Sequence, residues 1–294
     1  MPLKLEPFRN EAFTDFTVKA NCEKMEAALK KVASRFNQEY PMVIDGEKIT
    51  VATKMHSYNP GQISQNVGTF QQGTAKHADQ AVEAAYSTFA SWSKVPAVER
   101  VQYLLKAAAK MRAERFELNA VLVYEVGKSW AEADGDVAEA IDFLDYYARE
   151  MLRFDGPQPV TPYPGEENQL VYIPLGVGAI IPPWNFPLAI LTGMSAAAIV
   201  TGNTVVIKPA EEALLTGWHF VRIMEEVGLP KGVLNFISGD GAELGGTLVN
   251  HPLTRFINFT GSKDVGLLIS EQAAKRVPGQ RWIKRVVAEM GGKD

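Results

Sequence analysis

The spacing of apolar and polar positions changes character near residue 155. Before that point apolar residues recur at helical intervals. Residues 10–38 read as a helix, with Leu29, Val32 and Phe36 on one stripe, and residues 77–94, 98–113 and 114–127 follow the same period. Over 131–152, Val137, Ile141, Leu144, Ala148 and Leu152 share one helix face, while Asp134, Asp136, Glu139, Asp142 and Asp145 take much of the rest. A run of acids like this reads as a solvated face. Residues 41–51 read as a short strand pair around Asp45-Gly46, and residues 57–61 as a turn.

Asp155-Gly156-Pro157 breaks the helical part, and Pro159, Pro162 and Pro164 follow closely. Residues 157–174 are therefore expected as an extended arm or hairpin, which either pairs with another subunit or serves as a surface connection. Beyond residue 175 short β-rich runs at 177–181, 204–207, 233–237, 255–259 and 285–288 alternate with helical runs at 188–201, 211–227, 241–250 and 262–276. Such alternation predicts a parallel sheet with helices on both faces, joined by right-handed crossovers. The expected fold is α/β and Rossmann-like, with an N-terminal helical layer over residues 1–156, the arm over 157–174 and the core over 175–294. Ligands of such sheets bind at the carboxyl ends of the strands. The stretch from Asn168 to Ile207 carries no charge, but four prolines and several glycines interrupt it, so it reads as buried strand–helix–strand and not as a membrane span.

Composition narrows the class. The chain has 294 residues, 46% hydrophobic and 22% charged, with 30 Lys plus Arg against 34 Asp plus Glu, a net charge of −4. A mildly acidic chain of ordinary globular composition argues against nucleic-acid binding, which favours a basic face. One cysteine, Cys22, forbids an internal disulfide and a Cys-rich metal site, and suits a reducing compartment. The first residues lack the apolar stretch of a secretory signal. A cytoplasmic protein is expected, with no membrane partner and no metal. No two of the four histidines stand at metal-ligand spacing, and neither a Walker loop nor a nucleophile-elbow serine is present. Gly239 to Gly245 has one residue too many for a dinucleotide fingerprint.

The strand ends hold the candidate chemistry. Pro182-Pro183-Trp184-Asn185-Phe186-Pro187 is a stiffened turn; Asn185 either stabilises a developing oxyanion or simply caps a helix. Lys208-Pro209-Ala210-Glu211 offers a cation and an acid where ribose hydroxyls would lie, or a solvated loop opening a helix. Phe259-Thr260-Gly261-Ser262-Lys263-Asp264-Val265-Gly266 lets backbone N–H groups approach a pyrophosphate, or is a plain tight turn. Glu289, before Met290-Gly291-Gly292-Lys293, is a candidate general base.

Taken in order, Pro-Trp-Asn-Phe-Pro, Lys-Pro-Ala-Glu, Phe-Thr-Gly-Ser and Glu-Met-Gly-Gly-Lys resemble the aldehyde dehydrogenase superfamily over about residues 170–294. The segments Glu39-Tyr40-Pro41, Tyr124 to Lys128, Glu139 to Arg149 and Phe256 to Phe259 look most like the glutamate-semialdehyde (1-pyrroline-5-carboxylate) dehydrogenases of proline catabolism. The resemblance implies NAD as cofactor and a small aldehyde as substrate. It implies Asn185 as oxyanion donor and Glu289 as general base. Ile181, Pro182, Pro183 and Trp184 would contact NAD, Lys208 and Glu211 would bind ribose, and Gly241, Gly245, Phe259, Gly261, Ser262, Val265 and Gly266 would surround adenine and pyrophosphate. A glutamate at 211 implies NAD rather than NADP. The family's nucleophilic cysteine lies some tens of residues beyond the Glu-x-Gly-Gly-Lys motif, and Cys22 does not match it. The chain is thus expected to be the N-terminal portion of a longer homo-oligomeric enzyme, lacking the catalytic domain and inactive alone. The rival readings are a dehydrogenase for another aldehyde and a non-catalytic NAD-binding or assembly module.

Overall fold

The computed structural model describes residues 5–292, so Lys293 of the Glu-Met-Gly-Gly-Lys motif lies outside the described residues. The main sheet is built from β1 (Met42–Ile44), β2 (Glu47–Ile49), β5 (Val177–Ile181), β6 (Thr204–Ile207), β7 (Leu234–Phe236), β8 (Thr254–Thr260) and β9 (Arg285–Glu289), and a separate ribbon pairs β3 (Lys54–Tyr58) with β4 (Asn66–Gln71). The sheet order is β2-β1-β7-β6-β5-β8-β9. Strands β7 through β9 run parallel, and the β1–β2 hairpin adds to the β7 edge antiparallel, Val43 opposite Phe236. From β5 the chain winds outward through β6 and β7, then returns to place β8 on the other side of β5. That reversal opens a crevice at the carboxyl ends of β5 and β8, where doubly wound sheets bind ligands.

The helices are α1 (Lys19–Ala33), α2 (Ala75–Trp92), α3 (Ala97–Ala113), α4 (Arg115–Val126), α5 (Trp130–Phe154), α6 (Ala189–Val200), α7 (Leu214–Glu226), α8 (Gly241–Asn250) and α9 (Lys263–Ala274). Helices α2, α8 and α9 cover one face of the sheet, and α6 and α7 cover the other with α3, α4 and α5 packed outside them. All four residues of β6 are buried, as a strand covered on both faces requires. The charge-free run lies in this layer as β5, α6 and β6, and no helix among the described residues is long and apolar enough to cross a membrane.

Two expectations need correction. Residues 10–17 are not helical: Glu11 N–H and Thr14 N–H donate to the carboxylates of Asp142 and Asp134, both at 2.6 Å, so this segment lies along α5 before α1 begins. Nor is the acidic run on α5 simply a solvated face. Asp134 and Asp136 are buried. Asp134 accepts from Thr14, Arg115 and Asn119, and these contacts outweigh the upward push of burial and hold its pKa below the ordinary value. The β3–β4 ribbon was not foreseen, since the turn at 57–61 overlaps the end of β3. Residues 157–174 form an exposed excursion closed by one antiparallel bridge, Gln158 to Leu170, with Tyr163, Tyr172 and Ile173 mostly exposed.

Candidate cofactor cleft

A cleft of about 890 Å³ lies at the carboxyl edge of the sheet, between the ends of β5, β6, β8 and β9 and the helices α8 and α9. Ile181, Pro182, Pro183, Trp184 and Asn185 form one wall as the chain leaves β5; Lys208 enters from the end of β6; Gly241 and Gly245 come from α8; Phe259, Gly261, Ser262 and Val265 come from β8 and the start of α9. These residues, chosen from strand ends in the sequence, converge in space.

Three others sit differently. Gly266 is buried beneath the cleft, not in its wall. A Cβ there would meet Met290 Sδ at 2.5 Å and Phe259 Cε1 at 3.2 Å, so this glycine lets α9 pack close on the sheet. Glu211 is exposed just outside the lining, where its Oε1 accepts the Gly241 N–H at 2.9 Å. Glu289 ends β9 opposite Thr260, and its backbone carbonyl accepts from Gly261 N–H at 3.1 Å; its side chain is exposed, while the following Met290 and Gly291 line the cleft. Sequence reasoning missed Ala242, Gly246, Val249, Leu268, Ile269 and Gln272, the cleft-facing sides of α8 and α9. The adjacent pair Gly245-Gly246 was the available signal, since an added Cβ at either would meet nothing within 4 Å and would project into open space.

Asn185 is not a helix cap. Its Oδ1 accepts from the Phe186 N–H at 3.1 Å, and α6 begins only at Ala189. With the carbonyl side engaged, the Nδ2 end is left as a free donor on an exposed residue lining the cleft. The first turn of α6 is instead served by Asp136, whose Oδ1 accepts the Ala189 N–H at 2.7 Å.

Lys208 is 5% exposed, with Nζ donating to the Pro209 carbonyl at 2.8 Å. Burial pushes its pKa down, and Glu211, Glu212 and Asp240 oppose that. An ammonium with one protein acceptor retains donors for a ligand. The pKa of Glu139, exposed on α5, is pushed up by desolvation first, then by the charge of Asp136, with Asp142 and Glu289 adding and Lys128 opposing. A second groove, of about 370 Å³ between α1, α4 and α7, is lined by charges that already pair with one another: Lys31 and Arg35 with Glu117, and Arg222 with Glu114 and Glu226.

The strand order and the crevice between β5 and β8 are those of a doubly wound α/β sheet, and residues 48–294 match the model of the aldehyde dehydrogenase family, to which the chain belongs. It is 51% identical over 290 residues to the 1-pyrroline-5-carboxylate dehydrogenase of Anoxybacillus flavithermus, an alignment covering 99% of this chain and 56% of that protein. The crystal structure of 1-pyrroline-5-carboxylate dehydrogenase from Thermus with bound NAD superposes with a TM-score of 0.97 at 49% identity, over 99% of this chain and 57% of that one. Proline utilization A from Bdellovibrio bacteriovorus matches with a TM-score of 0.96 at 46% identity, over 99% of this chain and 30% of that one. The chain thus spans little more than half the length of the dehydrogenase relatives it matches.

Proposed function

We propose that this chain is the cofactor-binding portion of an NAD-dependent enzyme that oxidises L-glutamate γ-semialdehyde to L-glutamate. The observation that carries the proposal is the cleft itself: a turn bearing a free amide donor, a buried lysine and two bare glycines face one another at the carboxyl edge of a parallel sheet. The relatives, 1-pyrroline-5-carboxylate dehydrogenases of which one is crystallised with NAD, support the choice of aldehyde and of NAD.

The residues fit a dinucleotide. Gly245 and Gly246 leave a flat floor on α8 for a planar base, and an added Cβ at Gly241 would come within 3.4 Å of Glu211 Oε1 and 3.6 Å of Lys208 Nζ. Lys208 and Glu211 would hold ribose hydroxyls, and the start of α9, capped by Ser262, would face the pyrophosphate. Ile181, Pro182, Pro183 and Trp184 would wall the other side. NAD, when bound there, supplies the hydride acceptor. In the reaction an aldehyde and water become a carboxylic acid. Asn185 Nδ2 donates to the carbonyl oxygen as negative charge develops on it, and the Glu289 carboxylate takes a proton from the attacking water. The covalent step of the family requires a cysteine thiolate. Cys22 lies in α1 with its thiol donating to the Phe16 carbonyl at 2.9 Å, so we assign that step to sequence beyond this chain.

The test compares kcat/KM for L-glutamate γ-semialdehyde with that for propionaldehyde and betaine aldehyde, using the chain extended to the length of its relatives, with the 294-residue chain run in parallel. The expected result is a preference of at least about tenfold for the semialdehyde, equivalent to about 1.4 kcal/mol, and no turnover by the 294-residue chain. A preference for a simple aldehyde would contradict the substrate. Turnover by the 294-residue chain would contradict the assignment of the nucleophile, and turnover by neither would favour a binding module.

A further inference from the structure

We propose that Lys128 and Asp136 act as a positioning pair that fixes the 184–186 turn and aims the Asn185 amide into the cleft. The proposal rests on the reading of Asn185 as the oxyanion donor.

Asp136 has no exposure, and a buried carboxylate is costly unless it is paired and hydrogen-bonded. Its partners are the Ala189 N–H, hydrogen-bonded to Oδ1 at 2.7 Å, and the Lys128 ammonium, an ion pair with Oδ2 at 3.0 Å that lacks the alignment of a hydrogen bond. The first contact ties α5 to the first turn of α6. Leu188, at the position where a capping side chain would sit, makes no capping hydrogen bond, so the carboxylate supplied from α5 takes over that task and places negative charge at the positive end of the helix. The second contact holds Lys128, whose Nζ lies 3.9 Å from the centre of the Phe186 ring. The Lys128 side chain is mostly covered while Phe186 is 42% exposed, and a cation held over an aromatic face orients the ring as well as attracting it.

Phe186 and Ala189 are thus both restrained by the same ion pair, with only the buried Pro187 and Leu188 between them. The restraint passes directly to Asn185, because the Phe186 N–H holds Asn185 Oδ1 at 3.1 Å. Lys128 is itself placed by Gly127, which ends α4 in the left-handed region at φ 70. Lys128 also acts on the carboxyls of Glu132 and Glu139, lowering the pKa of each, so it is the cation that Asp136 shares with these two acids. An oxyanion donor works only where the oxygen will be, and displacements near 1 Å are costly. Holding the turn through Lys128 and Asp136, neither of which lines the cleft, meets that need without crowding it.

The test reads amide exchange in the isotope-labelled chain, comparing Phe186 and Ala189 with Ile180 in the central strand. Lys128→Met is expected to speed exchange at Phe186 by about tenfold or more while Ile180 changes little, and Lys128→Arg, which keeps a cation over the ring, is expected to restore protection. Asp136→Asn should expose Ala189 as well. A role in overall stability alone would move Phe186, Ala189 and Ile180 together, and that result overturns the proposal, as does unchanged Phe186 exchange in folded Lys128→Met. If Lys128→Met does not fold, Phe186→Leu removes the ring and leaves the ion pair. Faster exchange at residue 186 with Ala189 still protected supports the proposal, and unchanged exchange at 186 overturns it. In the chain extended to the length of its relatives, Lys128→Met should lower kcat by about tenfold with KM for NAD within about twofold. The underlying reading fails separately: Asn185→Ala would then leave kcat unchanged, whereas the exchange effects of Lys128→Met would stand.

Discussion

At the scale of single residues, the selectivity proposed for Glu211 rests on one backbone contact. Its Oε1 is held by the Gly241 N–H at 2.9 Å, which fixes a carboxylate beside the place proposed for ribose. A 2′-phosphate brought there would meet like charge, and the repulsion between close charges near a protein surface is of the order of 1–4 kcal/mol. Glu211→Ala is expected to raise affinity for NADP relative to NAD by about tenfold, read by titration with each nucleotide; an unchanged ratio would remove Glu211 from the selectivity argument. Much of the cleft was legible at this scale because strand ends are recognisable in sequence and doubly wound sheets bind ligands there. The parts that were not legible depend on contacts across long separations. Asp134 and Asp136 look like solvated acids in a helical pattern. Their burial comes from Thr14, Arg115, Lys128 and the start of α6, none of which periodicity can bring to them.

At the scale of elements, Glu125 shows the same principle in a helix start. The α7 helix opens without a capping residue of its own, and the buried carboxylate of Glu125, near the end of α4, accepts from Leu215 N–H at 2.6 Å, Thr216 N–H at 2.7 Å and the hydroxyls of Thr216 and Ser57. Burial nevertheless pushes the Glu125 carboxyl up to about 7, against those hydrogen bonds. In the unfolded chain it titrates near 4.3. Between these values the folded form holds a proton that the unfolded form has released, so the contribution of Glu125 to stability is fully present below about pH 4.3 and is lost as pH rises toward about 7. Glu125→Gln is expected to remove that loss, which is on the order of 2–3 kcal/mol, from the difference between urea unfolding free energies at pH 5 and pH 7. Parallel pH profiles for the two proteins would contradict it. His219, which burial pushes down to about 4 with Arg222 adding, works in the opposite direction: its contribution is present above about 6.5 and lost as pH falls, so it remains as the background slope in the variant.

The bounds of β5, β6 and α8 agree with the sequence pattern residue for residue, because each is a compact apolar or capped run ended by Gly, Pro or Asn. The β3–β4 ribbon is mixed and polar, with no clean alternation to announce it. The helix expected over 10–38 is too long at both ends: Asn10, Glu11 and Thr14 donate to α5 before α1 begins, and α1 stops at Ala33, with turns following. Nothing local in that segment signals this.

At the scale of the whole molecule, the parallel sheet and its two helical layers follow from strand–helix alternation, but the strand order does not. The β1–β2 hairpin joins the β7 edge through a strand nearly two hundred residues away in sequence, and Asn235 Oδ1 accepting from Asp45 N–H at 2.9 Å helps hold it there. The N-terminal part is therefore packed into the same sheet assembly: α2 covers the sheet beside α8, and α5 supplies the carboxylate that starts α6. We propose that this assembly, as it stands, forms a cleft for NAD in which Lys208 takes part. Isothermal titration of the purified 294-residue chain with NAD, beside Lys208→Ala, tests it most directly. Saturable one-site binding to the chain is expected, weakened about tenfold by Lys208→Ala through loss of one charge-assisted hydrogen bond of about 1.5 kcal/mol. No binding to a chain whose circular dichroism is that of the folded α/β protein, or binding that Lys208→Ala leaves unchanged, would contradict it.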